Sequence, residues 1–243
     1  MCKHALGAQP GYRRYSTGHA AMTPTPKPHR RLTLLGLAAI GGAGVCGCSP
    51  AASAPAKTAA AGKARPDLYS CEGCQAVLER DPATLPARLR LAEAGQPGER
   101  MVLTGRVLTV DGAPAPGVVI YAHHTNADGY YADGTPETEW SRRHGRLRGW
   151  VKTGADGRYG FDTIKPAPYP DRTMPAHVHL FIQEAGRPPY YIDDVVFAGE
   201  FKVDDAYRAK QELRGGGGIV TLTRDGAGVW QARRDIRLER RPS

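Results

Sequence analysis

The sequence predicts an all-β protein: an antiparallel β-sandwich preceded by a short helical or irregular cover. Glycine and proline are abundant, with 30 and 20 residues among 243, which favours a turn-rich β fold over a helical one. From Met101 onward, short stretches of alternating apolar residues are separated by glycine-containing turns. Strands of this length and spacing are typical of two packed antiparallel sheets.

The strand pattern continues to the end of the chain. Four stretches each predict two strands around a turn: 101–125 around Asp111-Gly112, 149–164 around Asp156-Gly157, 176–199 around a Gly-Pro turn, and 218–239 around Asp225-Gly226. One helix is predicted at Asp204–Leu213, because acids occupy its first turn and Gly215 follows as a stop. We expect residues 75–100 to form the short helix or irregular cover.

The first 47 residues resemble an export signal. Arg30 and Arg31 precede the apolar run Leu32–Val45, whose 14 residues are too few for a bilayer span of about 20. The arginine pair partly resembles a twin-arginine signal, although Thr33 departs from that pattern. Residues 1–21 do not resemble a signal n-region, so Met22 is an alternative start.

Cys48 ends a stretch, Val45-Cys46-Gly47-Cys48, that resembles a bacterial lipobox. We expect a lipid anchor at Cys48 and a place in the cell envelope; the alternative is an ordinary cleaved signal without lipid. Residues 48–66 are rich in alanine and proline and predict a tether. The domain is then predicted at residues 67–243.

Charge does not indicate a nucleic-acid partner. The formal charge is +9, but residues 1–48 hold six basic residues and no acidic ones. The rest of the chain has 27 basic and 24 acidic residues, about +3, without a basic stripe of interleaved aromatics.

Cys71 and Cys74 form a Cys-x-x-Cys motif, which occurs in zinc half-sites, redox pairs and local disulfides. No cysteine follows Cys74 to complete a zinc site, and no βαβ pattern surrounds the motif. For an exported protein we therefore predict a disulfide between them.

Two tyrosines and two histidines are candidate metal ligands. His177 and His179 are two residues apart on a predicted strand, so both side chains lie on one face. Tyr131 ends the turn NADGYY, and Tyr169 lies between two prolines that restrict its backbone. A phenol with a pKa of about 10 is protonated at neutral pH, but a trivalent ion can hold it as phenolate. Two phenolates, two imidazoles and a hydroxide suit Fe(III).

The stretch from about residue 103 to residue 200 resembles the intradiol ring-cleavage dioxygenases, the family of the catechol and protocatechuate enzymes. The pieces that carry the resemblance are TGRVLTVDGAPAPGVVI, NADGYY, GADGRYGFDTIKPAPYP and PAHVHL, in the family's order. It implies an immunoglobulin-like sandwich and one Fe(III) ion held by Tyr131, Tyr169, His177 and His179, with Tyr130 as the fallback first tyrosine.

The resemblance also implies the reaction. A catechol-like ring is cleaved by O2 between its two hydroxyl-bearing carbons, both oxygen atoms enter the product, and a tyrosine takes up a substrate proton. It implies homo-oligomers too, although no interface can be read from one chain.

The sequence departs from the family around the predicted substrate pocket. His123 and His124 replace a usual Trp-Gln pair, Met174 replaces an arginine, and Asp194 aligns with a glutamine. We expect His124, Met174 and Asp194 to line the pocket of a divergent, exported branch of the family.

Two other readings remain open. Transthyretin-like and carboxypeptidase-regulatory-like sandwiches, which are binding modules, share the strand and turn pieces but not the four candidate ligands. A metal-bound but non-catalytic envelope protein is consistent with Met174 and Asp194.

Overall fold

The computed structural model describes residues 64–134 and 137–242, all within the compact unit Ala54–Ser243. The predicted export signal at 1–47, the predicted lipidation site Cys48 and residues 48–63 of the tether lie outside the described residues. No helix within the described ranges is long and apolar enough to cross a membrane.

Eleven strands are present in the described part of the chain. In chain order they are β1 Arg88–Arg90, β2 Arg100–Leu108, β3 Val119–His124, β4 Arg148–Lys152, β5 Arg158–Ile164, β6 His177–Gln183, β7 Tyr190–Phe197, β8 Ile219–Val220, β9 Thr223–Arg224, β10 Trp230–Arg233 and β11 Ile236–Arg237. One sheet has the order β1-β5-β2-β10-β9, with β11 also paired to β2. The other has the order β4-β3-β6-β7-β8. The all-β prediction is therefore confirmed.

The longer strands pair antiparallel, as predicted: β2 with β5, β3 with both β4 and β6, and β6 with β7. The described part of the chain also contains parallel pairings, of β1 with β5, β10 and β11 with β2, and β7 with β8. Each involves a strand of two to four residues. Parallel neighbours need a crossover connection, and here long connections bring short strands to the sheets.

The helical segments are short. The predicted cover contains two 3₁₀-helices, Cys74–Glu79 and Pro82–Thr84, before β1. Helix α1, Glu139–His144, precedes β4; the hydroxyl of Thr138 accepts a hydrogen bond from the amide of Ser141 and caps the helix.

Helix α2, Asp205–Ala209, is shorter than the predicted Asp204–Leu213. Beyond it, the amides of Leu213 and Arg214 donate to the carboxylate of Asp193 on β7. Because these amides bond to Asp193, they are not available for the intrahelical hydrogen bonds of a longer helix.

The second sheet has apolar side chains on both faces. Ile120 and Ala122 of β3, with Val178 and Leu180 of β6, belong to the core between the sheets. Alternate residues of the same strands face the other way. There a second cluster, including Tyr121, Trp150 and Phe181, packs against the 3₁₀-helix Cys74–Glu79. His123, His177 and His179 are on this covered outer face.

Candidate metal centre

The four predicted ligands meet at one point on the outer face of the second sheet. The phenol oxygens of Tyr131 and Tyr169 are 2.9 Å apart, and the Nε2 atoms of His177 and His179 are 3.0 Å apart. Tyr169 Oη lies 3.3 Å from His177 Nε2, and Tyr131 Oη lies 3.0 Å from His179 Nε2. The four atoms form a closed ring whose sides are all near 3 Å.

Strand β6 orients both histidines. The Nδ1–H of His177 donates to the carbonyl oxygen of Pro175 at 2.7 Å. The Nδ1 of His179 lies 2.9 Å from Oδ1 of Asp194. With Nδ1 occupied in each ring, the Nε2 lone pair is directed at the phenols.

The two tyrosine turns are tied to each other. The amide of Ala167 donates to the carbonyl of Asn126, and the hydroxyl of Thr125 donates to the carbonyl of Ala167. At Gly129, where φ is +85°, a Cβ would lie 2.1 Å from the carbonyl oxygen of Pro168. Only glycine permits this approach, so the turn before Tyr131 sits directly against the turn before Tyr169.

The end of α1 supports Tyr131 from another side. Gly145 follows the helix with φ +69°, and its added Cβ would lie 3.1 Å from Cα of Tyr131. The amide of Arg146 donates to the carbonyl of Ala132 at 2.8 Å. The residues that follow α1 therefore contact the turn of Tyr131 through their backbone.

The donor set fits a first-row metal ion. Such ions bind nitrogen and oxygen at about 2.0–2.2 Å, so neighbouring ligands around one ion lie roughly 3 Å apart. Burial, followed by the neighbouring His179, lowers the pKa of His177 to about 4, so this imidazole is neutral and ready to coordinate. Burial, and then Tyr169, raises the pKa of Tyr131 well above its usual value. Burial also raises the pKa of Tyr169. Only a strongly charged cation would hold both as phenolates.

Asp194 lies near the same histidines without joining the ring of donors. His177, His179 and Asp194 offer atoms within 4.8 Å of one another, a set that could hold a metal by proximity alone. However, the carboxylate is bonded to Nδ1 of His179, on the opposite side of the imidazole from Nε2. We therefore take the phenols and the Nε2 atoms as the convergent set. Asp194, predicted to line the substrate pocket, instead lies behind a predicted ligand.

Of the two adjacent histidines, His123 and not His124 lies at the candidate site. His124, predicted to line the pocket, faces between the sheets, where its nitrogens lie 2.7 Å from Thr125 O and 2.7 Å from Thr163 Oγ1. His123 faces the site, and its ring centroid is 4.5 Å from that of His179. Alternation along β3 allows only one of the two on each face, and the register of β3 with β6 places His123 opposite His179.

The remaining predicted residues are placed as follows. Met174 is half-buried in the segment before β6, and Tyr130, the fallback first tyrosine, is 56% exposed. Cys71 and Cys74 form the predicted disulfide, directly before the cover.

His144 also lies beside the candidate site, although no predicted motif contains it. It lies at the end of α1 with its ring stacked on His123, and its Nδ1 is 2.9 Å from the hydroxyl of Tyr121. A lone histidine in a basic stretch carries no sequence signal for such a position.

The chain is similar in sequence to known dioxygenases. A family model described as "Dioxygenase" matches residues 79–216, more than half of the chain. The chain is 33% identical over 156 residues to a chlorocatechol 1,2-dioxygenase of Rhodococcus opacus, covering 56% of this chain and 57% of that protein. It is 32% identical over 148 residues to a hydroxyquinol 1,2-dioxygenase of Rhizobium sp. (strain MTP-10005), covering 47% of this chain and 49% of that protein.

Among solved structures, wild-type catechol 1,2 dioxygenase of Acinetobacter radioresistens superposes with a TM-score of 0.51 at 18% identity, covering 66% of this chain and 60% of that one. At 18% identity this comparison shows only that the two proteins share a fold. The chain spans about half the length of the curated relatives described above. The chain belongs to the family of intradiol ring-cleavage dioxygenases.

Proposed function

We propose that this protein is a non-haem Fe(III) dioxygenase that cleaves a catechol-like ring between its two hydroxyl-bearing carbons, using O2. The observation that carries the proposal is the closed ring formed by Tyr131 Oη, Tyr169 Oη, His177 Nε2 and His179 Nε2. Two anionic oxygens and two neutral nitrogens suit ferric iron and leave coordination positions for a substrate. Bound iron would supply Lewis-acid activation of the catecholate toward O2.

The residues of the chain have distinct tasks in this proposal. His177 and His179 would hold the metal through Nε2, because Pro175 and Asp194 occupy their Nδ1 atoms. Tyr131 and Tyr169 would hold it as phenolates, and one of these phenolate oxygens would accept a proton from a catechol hydroxyl. Burial raises the pKa of both tyrosines, so a protonated phenol of Tyr131 or Tyr169 would retain that proton.

We also propose that the enzyme works outside the cytoplasm, anchored by lipid on Cys48. The support is the sequence of residues 1–48 alone, with its arginine pair, apolar run and lipobox-like end. The expected partners are a small aromatic substrate and O2. Stable anchoring needs more than one acyl chain, as bacterial lipoproteins carry.

The deciding experiment combines colour with product analysis. Protein purified from iron-replete cells should contain about one iron per chain and show a visible tyrosinate-to-iron absorption band. Incubated with catechol or hydroxyquinol and O2, it should yield the ring-opened diacid, measured by mass. Coloured protein without product would support the non-catalytic metal-bound reading. Colourless protein without iron would support a binding module and contradict the proposal.

A further inference from the structure

An irregularity in the pairing of β6 with β7 places a carboxylate behind His179. Val178 pairs with Val195, but the next pair along the strands is Leu180 with Ile192. Two residues of β7, Asp193 and Asp194, therefore stand opposite the single residue His179. This is the arrangement of a β-bulge, which redirects side chains beside functional sites.

The two acids of the bulge have different partners. The carboxylate of Asp193 accepts the backbone amides of Leu213 and Arg214, at 2.8 and 3.2 Å. Oδ1 of Asp194 accepts from Nδ1–H of His179 at 2.9 Å. Asp193 thus holds the connection before β8, while Asp194 faces the candidate metal centre.

The glycine-rich connection keeps the bulge in this shape. A Cβ at Gly218 would lie 2.1 Å from the carbonyl oxygen of Asp194, so only glycine fits there. The carbonyl of Gly218 accepts the amide of Val196, and the carbonyl of Arg214 accepts the amide of Asp193. Backbone contacts on both sides of Asp194 hold its carboxylate against His179.

The two histidines consequently differ in what binds their Nδ1 atoms. His177 donates to a neutral carbonyl, that of Pro175, whereas His179 donates to a carboxylate. A carboxylate on the far nitrogen fixes the tautomer and the ring orientation, and it makes the near nitrogen a stronger donor.

We propose that Asp194 is a positioning residue of the metal centre: it holds His179 with the Nε2 lone pair toward the ion and makes His179 the stronger donor of the histidine pair. This inference rests on the proposed function, because it concerns ferric iron held by the four donors. It assigns to Asp194 a role toward the metal instead of the role toward the substrate that its alignment with a glutamine implied.

The test separates the charge of Asp194 from its hydrogen bond. Asp194→Asn keeps the shape and can present an amide oxygen to Nδ1–H, whereas Asp194→Ala removes both charge and bond. The matched control is Asp205→Asn, which removes the same charge from an exposed position in the first turn of α2. Each variant is compared with the wild type by chelator competition for iron and by the position of the tyrosinate-to-iron band.

We expect Asp194→Ala to weaken iron binding about 10- to 100-fold, the usual effect of removing such a partner. Asp194→Asn should retain more of the affinity but shift the band to longer wavelength, because iron that receives less electron density accepts charge from phenolate more easily. Asp205→Asn should leave the band in place.

Failure of this inference can be distinguished from failure of the proposed function. Wild-type protein without iron would overturn the proposed function and this inference with it. Coloured wild type, with the same affinity and band in both Asp194 variants, would overturn the inference alone. If Asp194→Ala does not fold, as judged by circular dichroism, the shape-conserving Asp194→Asn variant decides the question.

Discussion

The imidazole rings of His123 and His144 are stacked, with centroids 3.9 Å apart and planes 1° from parallel. On one side of the pair, His123 faces His179, a predicted metal ligand. On the other side, a Cβ at Gly73 would lie 3.4 Å from the ring of His144. A column of imidazoles therefore connects the turn around Gly73 to the candidate metal centre.

The disulfide closes the turn that contacts this column, and its loss should lower stability. We expect replacing Cys71 and Cys74 by alanine to reduce the free energy of unfolding by about 2 kcal/mol, the chain-entropy effect of so short a loop. Denaturant unfolding followed by tryptophan fluorescence measures this, because the indole of Trp150 donates to the carbonyl of Ala76 within the cover. A reductant should destabilise the wild type and leave the double variant unchanged; an insensitive wild type would contradict the prediction.

Substitutions of the four donors should have two distinct signatures. Tyr131→Phe and Tyr169→Phe should shift or abolish the tyrosinate-to-iron band, because each removes a phenolate. His177→Ala or His179→Ala should lower the iron content instead, because neither changes a phenolate. Metal analysis and absorption spectra on the same samples separate the two effects.

The control for the donor variants is Tyr130→Phe, which alters the exposed neighbour of Tyr131. It should leave both band and iron content unchanged. A band lost in Tyr130→Phe and kept in Tyr131→Phe would move the first phenolate to the fallback position.

Replacing Gly129 by alanine should separate the two tyrosine turns. Its Cβ would meet the carbonyl of Pro168 at 2.1 Å, so the turn before Tyr169 must move. Gly186→Ala is the matched control, since Gly186 also has positive φ, at +68°, with nothing within 4 Å of its Cβ. Both variants carry backbone strain of about 1–2 kcal/mol. Only Gly129→Ala should also lose iron, and equal iron in both would refute the role of this close approach.

Stability should fall with acidification, in part through His124. Burial lowers its pKa to about 4, against the opposing effect of its bond to the carbonyl of Thr125. In the unfolded chain its pKa is about 6.5, so between about pH 6.5 and 4 the unfolded state binds a proton that the folded state does not. This contribution is complete above pH 6.5 and decreases as the pH falls, by up to about 1.4 kcal/mol per pH unit.

His124→Gln removes this titration and can retain a hydrogen bond to Thr163. Urea unfolding of wild type and variant between about pH 7 and pH 4.5 should show a shallower pH dependence in the variant. Parallel curves would mean that His124 is protonated in the folded protein as readily as in the unfolded one.

On the proposed function, Met174 should make the protein selective for electron-rich rings. The family's arginine at this position would stabilise negative charge on the substrate ring. The nearby Arg172 does not take that place, because its guanidinium lies 3.9 Å over the ring of Phe201. Losing one such electrostatic contact costs roughly 10²–10³ in turnover. Hydroxyquinol should therefore be cleaved faster than catechol, and Met174→Arg should raise the rate on catechol. Equal wild-type rates on the two substrates would contradict this.

The sequence predicted the fold class but not which strands pair. The sequence indicated each Asp-Gly or Gly-Pro turn. In two of the four predicted strand–turn–strand stretches, the two strands pair antiparallel: β6 with β7, and β9 with β10. In the other two stretches the chain crosses between sheets, from β2 to β3 and from β4 to β5. A turn signal is local, whereas pairing depends on which apolar faces meet in the core.

The candidate site, like the fold, has some features that the sequence predicts and others that depend on the tertiary structure. Period-two alternation placed His177 and His179 on one face of β6 and put Val178 and Leu180 on the other, and prolines marked the turn of Tyr169. These are properties of neighbouring residues, so the sequence by itself determined them. The choice of His123 over His124 at the site, and the turn of Asp194 toward His179, depend on strand register and a bulge. Only the tertiary structure decided them, because register and bulges arise from packing between segments far apart in the chain.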